Sequence, residues 1–215
     1  MQIQDNKEQR VYGIECRMKD EDKDDKRMTI GGLASIFNSY TPMGWYMEVV
    51  KPGFFDDMDF EAAAALKNHD SNLVLGRYAN KTLRLNITNQ GLEYEVDLPD
   101  TTTGRDTYEE VKRGDIYQSS FQFTIKEQVW REVDRSEFAG VLPDEVLDRM
   151  SYGGKIEVRE LIKGAKLYDV APVTFPAYND TTVSQRSKEA LQKTKINFDL
   201  YNYRLRIAAA SLPKL

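Results

Sequence analysis

The clearest alternation of apolar and polar positions lies between residues 81 and 99. Leu83, Leu85 and Ile87 alternate with polar residues, "NQG" interrupts them, and Leu92, Tyr94, Val96 and Leu98 alternate again. A period of two gives each run one apolar face, so the segment predicts a β-hairpin with one side buried. The same period runs through residues 116–130, where Phe121, Phe123 and Ile125 share a face with Ser119, and Ser120 points to the other, polar, outward side. "RVYGIECRM" and "MTIGGLASIFN" read as two more strands, joined by the fully charged "DEDKDDKR" as a solvated turn. "WYMEVVKPGFF" is a strand that stops at Lys51, because Pro52 restricts its predecessor and Gly53 opens a turn. "IEVRELIKGAKLYDVAPVTFPAY" predicts two strands, broken at "KGA" and ended by Pro176.

Helical periods are rarer. "TGRDTYEEVKRGD" fits an amphipathic helix with Gly114 as its C-terminal cap. "FEAAAALKN" has the alanine content of a helix of barely two turns, and the pattern turns helical again from Ser184 to the end. Residues 134–155 read as an excursion between two strands, with one short helix in "PDEVLDRM". The sum is a mainly β, α+β chain with about seven or eight antiparallel strands. Long helices do not alternate with the strands, so an antiparallel barrel or sandwich is expected rather than an α/β sheet.

Composition narrows the chemistry. The 215 residues suffice for one large domain or two small ones, and a net charge of −5 argues against a mainly nucleic-acid-binding surface. Cys16 is the only cysteine, so no internal disulfide forms; with a single histidine beside it, a soft-ligand zinc site lacks ligands. Carboxylates could serve a hard cation, but the spacing of an EF-hand loop is absent. No apolar run approaches ~18 residues, and "MQIQDNKEQR" lacks the apolar centre of a signal peptide, so a cytosolic protein is expected.

The lone histidine, His69, sits in "ALKNHDSNLVLGRY". Imidazole can relieve a serine hydroxyl of its proton, and an acid on the second ring nitrogen would fix the tautomer. Ser119 and Ser120 are the serine candidates. Spacing alone does not select the partners, and a structural His69 stays open beside a proton carrier.

"GGLASIFNS", "YMEVVKPGFFDD", "ALKNHDSNLVLGR", "GLEYEVDLPDT", "EEVKRGDIYQSSFQF" and "KLYDVAPVTFPAYNDT" follow one another in the order of a known family. Across about residues 28–187 the chain resembles the prohead (procapsid) maturation proteases of tailed bacteriophages, serine peptidases akin in fold to herpesvirus assemblin. The resemblance implies an assemblin-like antiparallel barrel of about seven strands. It also implies a protease domain over 1–187, followed by a helical tail over 188–215. His69 of "NHD" matches the catalytic histidine, and Ser120 of "SSFQF", aligned on Phe123, matches the nucleophile. Gln118 and Gln122 stand where the family has glycine and Ser119 where it has an apolar residue, which keeps Ser119 as second choice. Asp169 of "LYDVAPVTFPA" takes the place of the family's acid, one methylene shorter than glutamate, with Glu160 of "VRELI" as the fallback.

The implied reaction is peptide hydrolysis through an acyl-enzyme, with no metal or organic cofactor. The implied substrates are the scaffold or the scaffolding segment of the major capsid protein, and the protease itself, with self-cleavage at Ala210–Ser211 in the tail. The portal protein and a second copy of the chain are further expected partners; nucleic acid and membrane are not. The expected location is the host cytoplasm, inside the assembling procapsid. The alternative from another class is a non-catalytic capsid-assembly or scaffold protein on the same β fold.

Overall fold

The computed structural model describes residues 7–18, 27–140 and 142–174. These residues are mainly β, with 52% in strands and two α-helices, as the alternation predicts. In chain order the strands begin with β1 (Glu8–Met18), β2 (Thr29–Ile36), β3 (Thr41–Pro42), β4 (Tyr46–Val50) and β5 (Ala64–Leu66). Next come β6 (Val74–Arg77), β7 (Leu83–Ile87), β8 (Gly91–Asp97), the helix α1 (Thr102–Arg113) and β9 (Gln118–Asp134). The helix α2 (Asp144–Met150), β10 (Ser151–Tyr152) and β11 (Lys155–Val173) complete them.

Local chemistry accounts for the elements that the pattern predicts. In the β7–β8 hairpin, Leu83 faces Val96, Leu85 faces Tyr94 and Ile87 faces Leu92, so the apolar positions of both strands fall on one side. Helix α1 starts where the Thr101 hydroxyl accepts from the Gly104 amide at 3.2 Å, and it stops at Gly114, whose φ of 78° lies in the left-handed region.

The chain divides into two compact units. Of the described residues, the first holds those up to Ile36, Pro52–Glu127, and those from Lys163 onward; the second holds Phe37–Lys51 and Gln128–Ile162. In the first unit, β9, β1, β2, β8 and β7 lie side by side, each antiparallel to its neighbour. β5 pairs parallel with the C-terminal part of β11, setting Ala64 opposite Asp169, and antiparallel with β6. The Phe face of β9 anchors this core: Phe121 and Phe123 stack at 4.6 Å, Phe55 meets Phe121 edge-on at 5.9 Å, and Phe54 meets Phe123 at 5.4 Å. In the second unit, β4 runs parallel to the N-terminal part of β11, from Glu157 beside Tyr46 to Leu161 beside Val50. Its core is Met47, Val49, Phe138, Leu147, Met150, Ile156 and Val158.

Several expectations are corrected. The alanine-rich segment is not a helix: after turns it becomes β5 and a single 3-10 turn over Lys67–His69. Two helical turns have too little cooperativity to stand alone, and small side chains at Ala63, Ala64 and Ala65 let this segment be buried between neighbouring strands. "KGA" does not break a strand, because β11 is continuous for 19 residues. Gly164 is there for space: a Cβ on it would lie 1.7 Å from Met58 Cε, and its amide donates to Phe54 O at 2.8 Å. The strands are not all antiparallel, since both partners of β11 just named are parallel. Residues 134–155 do form an excursion between β9 and β11 with α2 as its short helix, and Phe138, Leu147 and Met150 within it are core. These ladders form no closed barrel among the described residues. The charged run before Arg27, the end of "VTFPAY" and the helical tail lie outside the described residues. No described helix is long and apolar enough to cross a membrane.

Candidate active site

Three residues far apart in sequence meet in the first unit. His69 Nδ1 lies 2.5 Å from Asp169 Oδ1, and His69 Nε2 lies 2.6 Å from Ser120 Oγ. The imidazole is one hydrogen bond from a hydroxyl on one side and from a carboxylate on the other. The two alternatives left open by the sequence, Ser119 and Glu160, make other contacts. Ser119 turns to the opposite side of β9, where its hydroxyl meets Tyr94 OH at 3.0 Å. Glu160 belongs to the second unit, where it accepts from Arg131 Nη2 at 2.5 Å and faces Lys51 Nζ at 3.8 Å.

Each partner is delivered by a regular element. Ser120 and Asp169 sit within strands β9 and β11, where neighbouring backbone fixes their direction. His69 arrives differently. β5 leaves Ala64 beside Asp169, and five residues later the 3-10 turn presents the imidazole to the same carboxylate. That turn needs two successive residues in the left-handed region, Asn68 with φ 52° and ψ 32° and His69 with φ 59°. Asn and His enter this region more readily than most residues, yet each such non-glycine position costs about 1 kcal/mol or more.

Surrounding bonds hold the strained turn. Lys67 Nζ donates to Glu110 of α1 at 2.9 Å. Asn68 Oδ1 accepts from the Thr174 amide at 2.8 Å, and Asn68 Nδ2 donates to Thr174 Oγ1 at 3.3 Å. Asp70 Oδ1 accepts from the amide and the side chain of Asn72 at 2.8 and 2.9 Å, folding the loop onto itself. None of these supports is legible from sequence periodicity.

The site is dry. Ser120 has no exposed surface, and the side chains of His69 and Asp169 are 10% and 4% exposed. This corrects the outward-facing Ser120 expected from alternation: at Ser120 the polar side of β9 is covered, while Gln118, Gln122 and Thr124 on the same side are half-buried. The Ser120 hydroxyl has a second acceptor, the Arg10 carbonyl of β1 at 2.8 Å. One proton serves two acceptors, so the hydroxyl is primed only when it donates to His69 Nε2. That requires the tautomer with its proton on Nδ1, which the Asp169 carboxylate favours by accepting it. Gln118 flanks Ser120 on the same side of β9, two residues along, and its buried Oε1 has no hydrogen-bond partner among the described residues.

A hydroxyl, an imidazole and a carboxylate in series, buried beside a β core, define the serine class of hydrolytic proteins. The family model for caudovirus prohead serine proteases matches residues 14–195, and the chain belongs to that family. No curated protein and no solved structure matches it.

Proposed function

We propose that this chain is the endopeptidase that trims capsid-assembly proteins during maturation, with Ser120 as nucleophile, His69 as general base and Asp169 as the group that orients it. The observation that carries this reading is the pair of hydrogen bonds made by one imidazole, at 2.5 and 2.6 Å. In the reaction, Ser120 Oγ attacks the scissile carbonyl while His69 Nε2 takes its proton. The Asp169 carboxylate holds Nδ1–H and stabilises the imidazolium as it forms. His69 then returns the proton to the leaving amine, and water, activated by the same nitrogen, hydrolyses the acyl-enzyme.

The substrates in this reading are the scaffold or the scaffolding segment of the major capsid protein and the protease itself, with Ala210–Ser211 as the self-cleavage bond. The portal protein and a second copy are partners, and the work takes place in the host cytoplasm inside the procapsid. Family membership supports these assignments. We also read the ladders of the first unit as arcs of an assemblin-like barrel. Close approach of β6 to β8 supports this, since a Cβ on Gly76 would lie 2.6 Å from Val96 Cγ2.

One observation favours a second reading, a non-catalytic assembly protein: Ser120 is fully buried, and a peptide carbonyl needs an open approach. Co-expression with the capsid protein, read by intact mass, separates the two. Trimming by the wild type that is lost in Ser120→Ala supports the peptidase. Trimming that persists in Ser120→Ala overturns the assignment of the nucleophile. An untrimmed capsid protein inside assembled shells that contain the wild-type chain supports the assembly role.

A further inference from the structure

We propose that Asn68 is a positioning residue for His69: its side chain locks the left-handed turn to the end of β11, so that the imidazole keeps its register on Asp169. This rests on the peptidase reading only for its kinetic consequence.

The argument starts from the backbone. His69 meets the Asp169 carboxylate from a turn in which Asn68 and His69 both adopt positive φ. A turn of two left-handed residues relaxes unless something outside it holds it. The Asn68 amide supplies that hold at both of its atoms, accepting the Thr174 N–H and donating to the Thr174 hydroxyl. Thr174 lies five residues beyond Asp169 and just past the end of β11. The His-bearing turn and the Asp-bearing strand are therefore tied twice, once by the imidazole and once by the residue before it. Both bonds of Asn68 span 106 residues of chain, so they carry information about tertiary register rather than local turn geometry. Asparagine suits the place for two separate reasons: it tolerates positive φ, and it offers an acceptor and a donor together.

Three substitutions separate these reasons. Asn68→Gly keeps the backbone preference and loses the tie. Asn68→Ala loses both. Asn68→Asp keeps the acceptor for the Thr174 amide and much of the left-handed tolerance, and it exchanges the donor to the Thr174 hydroxyl for a second acceptor to which that hydroxyl can turn and donate. In the full chain, steady-state cleavage of a capsid-protein peptide by Asn68→Ala and Asn68→Gly is expected to show kcat about 100-fold lower with KM within about twofold, the pattern of a displaced reacting group. Asn68→Asp is expected to recover to within about fivefold of wild type.

A second readout needs no turnover. Because His69 is the only histidine, a long-range proton–nitrogen NMR correlation of the imidazole in alkaline buffer reports one tautomer without ambiguity. Wild type and Asn68→Asp are expected to hold the proton on Nδ1, whereas Asn68→Ala and Asn68→Gly give a mixture with the Nε2–H form. A purely structural role would lower the thermal midpoint and leave the tautomer and kcat of the folded protein unchanged, and that result in Asn68→Gly overturns the proposal. A wild-type chain that holds the Nδ1 tautomer in this Asn68-dependent way yet cleaves nothing leaves the positioning role standing and overturns the peptidase reading instead.

Discussion

The buried carboxylates Glu160 of the second unit and Asp169 of the first have opposite surroundings. In the second unit Glu160 accepts from Arg131 and faces Lys51, and its neighbour Glu48 is paired with Arg159 at 3.1 Å. The charge of Glu160 is felt nearby: the Tyr40 phenol is pushed up, by burial first and by Glu160 second. In the first unit the ion-pair partner of Asp169, among the described residues, is His69. Permanent cations fix a carboxylate as part of the frame. An imidazole partner instead lets a carboxylate stabilise a charge that appears and disappears within a reaction cycle. Burial alone, 8% exposure against 3%, does not tell these roles apart; the chemistry of the partner does.

Exchanging each acid for its amide breaks this comparison most sharply. Asp169→Asn is expected to lower kcat by about 10⁴-fold, because the amide favours the wrong imidazole tautomer, while the fold survives. A fall of less than tenfold in peptide cleavage would remove Asp169 from the mechanism. Glu160→Gln should do the reverse: about 1–3 kcal/mol less stable by urea denaturation, from a buried pair that loses one charge, with kcat near wild type. Loss of kcat without loss of stability would return Glu160 to the site.

The serine pair sharpens the same contrast on a smaller scale. Ser119→Ala removes the hydroxyl partner of Tyr94 OH and should cost about 1 kcal/mol with cleavage retained, whereas Ser120→Ala should abolish cleavage. Equal loss in both would mean that the two faces of β9 do not divide the labour between packing and chemistry.

The smallest effect concerns a surface pair in the first unit. Hydrogen bonds from Arg84 hold the Asp97 carboxyl below its usual range. A carboxyl lowered in the folded state stabilises the fold above its unfolded titration range near pH ~3.9, and this contribution disappears as the pH falls through the folded value. Arg84→Met should remove under about 1 kcal/mol at neutral pH, because the pair is well solvated, and should flatten the loss of thermal stability on acidification. An unchanged acid slope would assign that loss to other carboxylates.

Legibility in the sequence followed the range of the interaction. The β7–β8 hairpin, the C-terminal cap of α1 and the two faces of β9 were readable because alternation and capping act over a few residues. The segment ending at His69 was misread because alanine content carries helix propensity but says nothing of the strands on either side. Gly164 looked like a break because the sequence does not display the Met58 side chain that needs its space. For the site, the resemblance singled out His69, Ser120 and Asp169 with Ser119 and Glu160 as alternatives, but it gave no role to Asn68 or Thr174, although both lie within its motifs.

By itself, then, the sequence determined which strands have an apolar side, where α1 stops, and which few side chains could move a proton. Tertiary structure alone decided which serine and which acid reach the imidazole. His69 is separated by 51 residues from Ser120 and by 100 from Asp169, and no local preference acts across such distances. Only strand pairing and a buried, externally tied turn bring those groups within a hydrogen bond of each other.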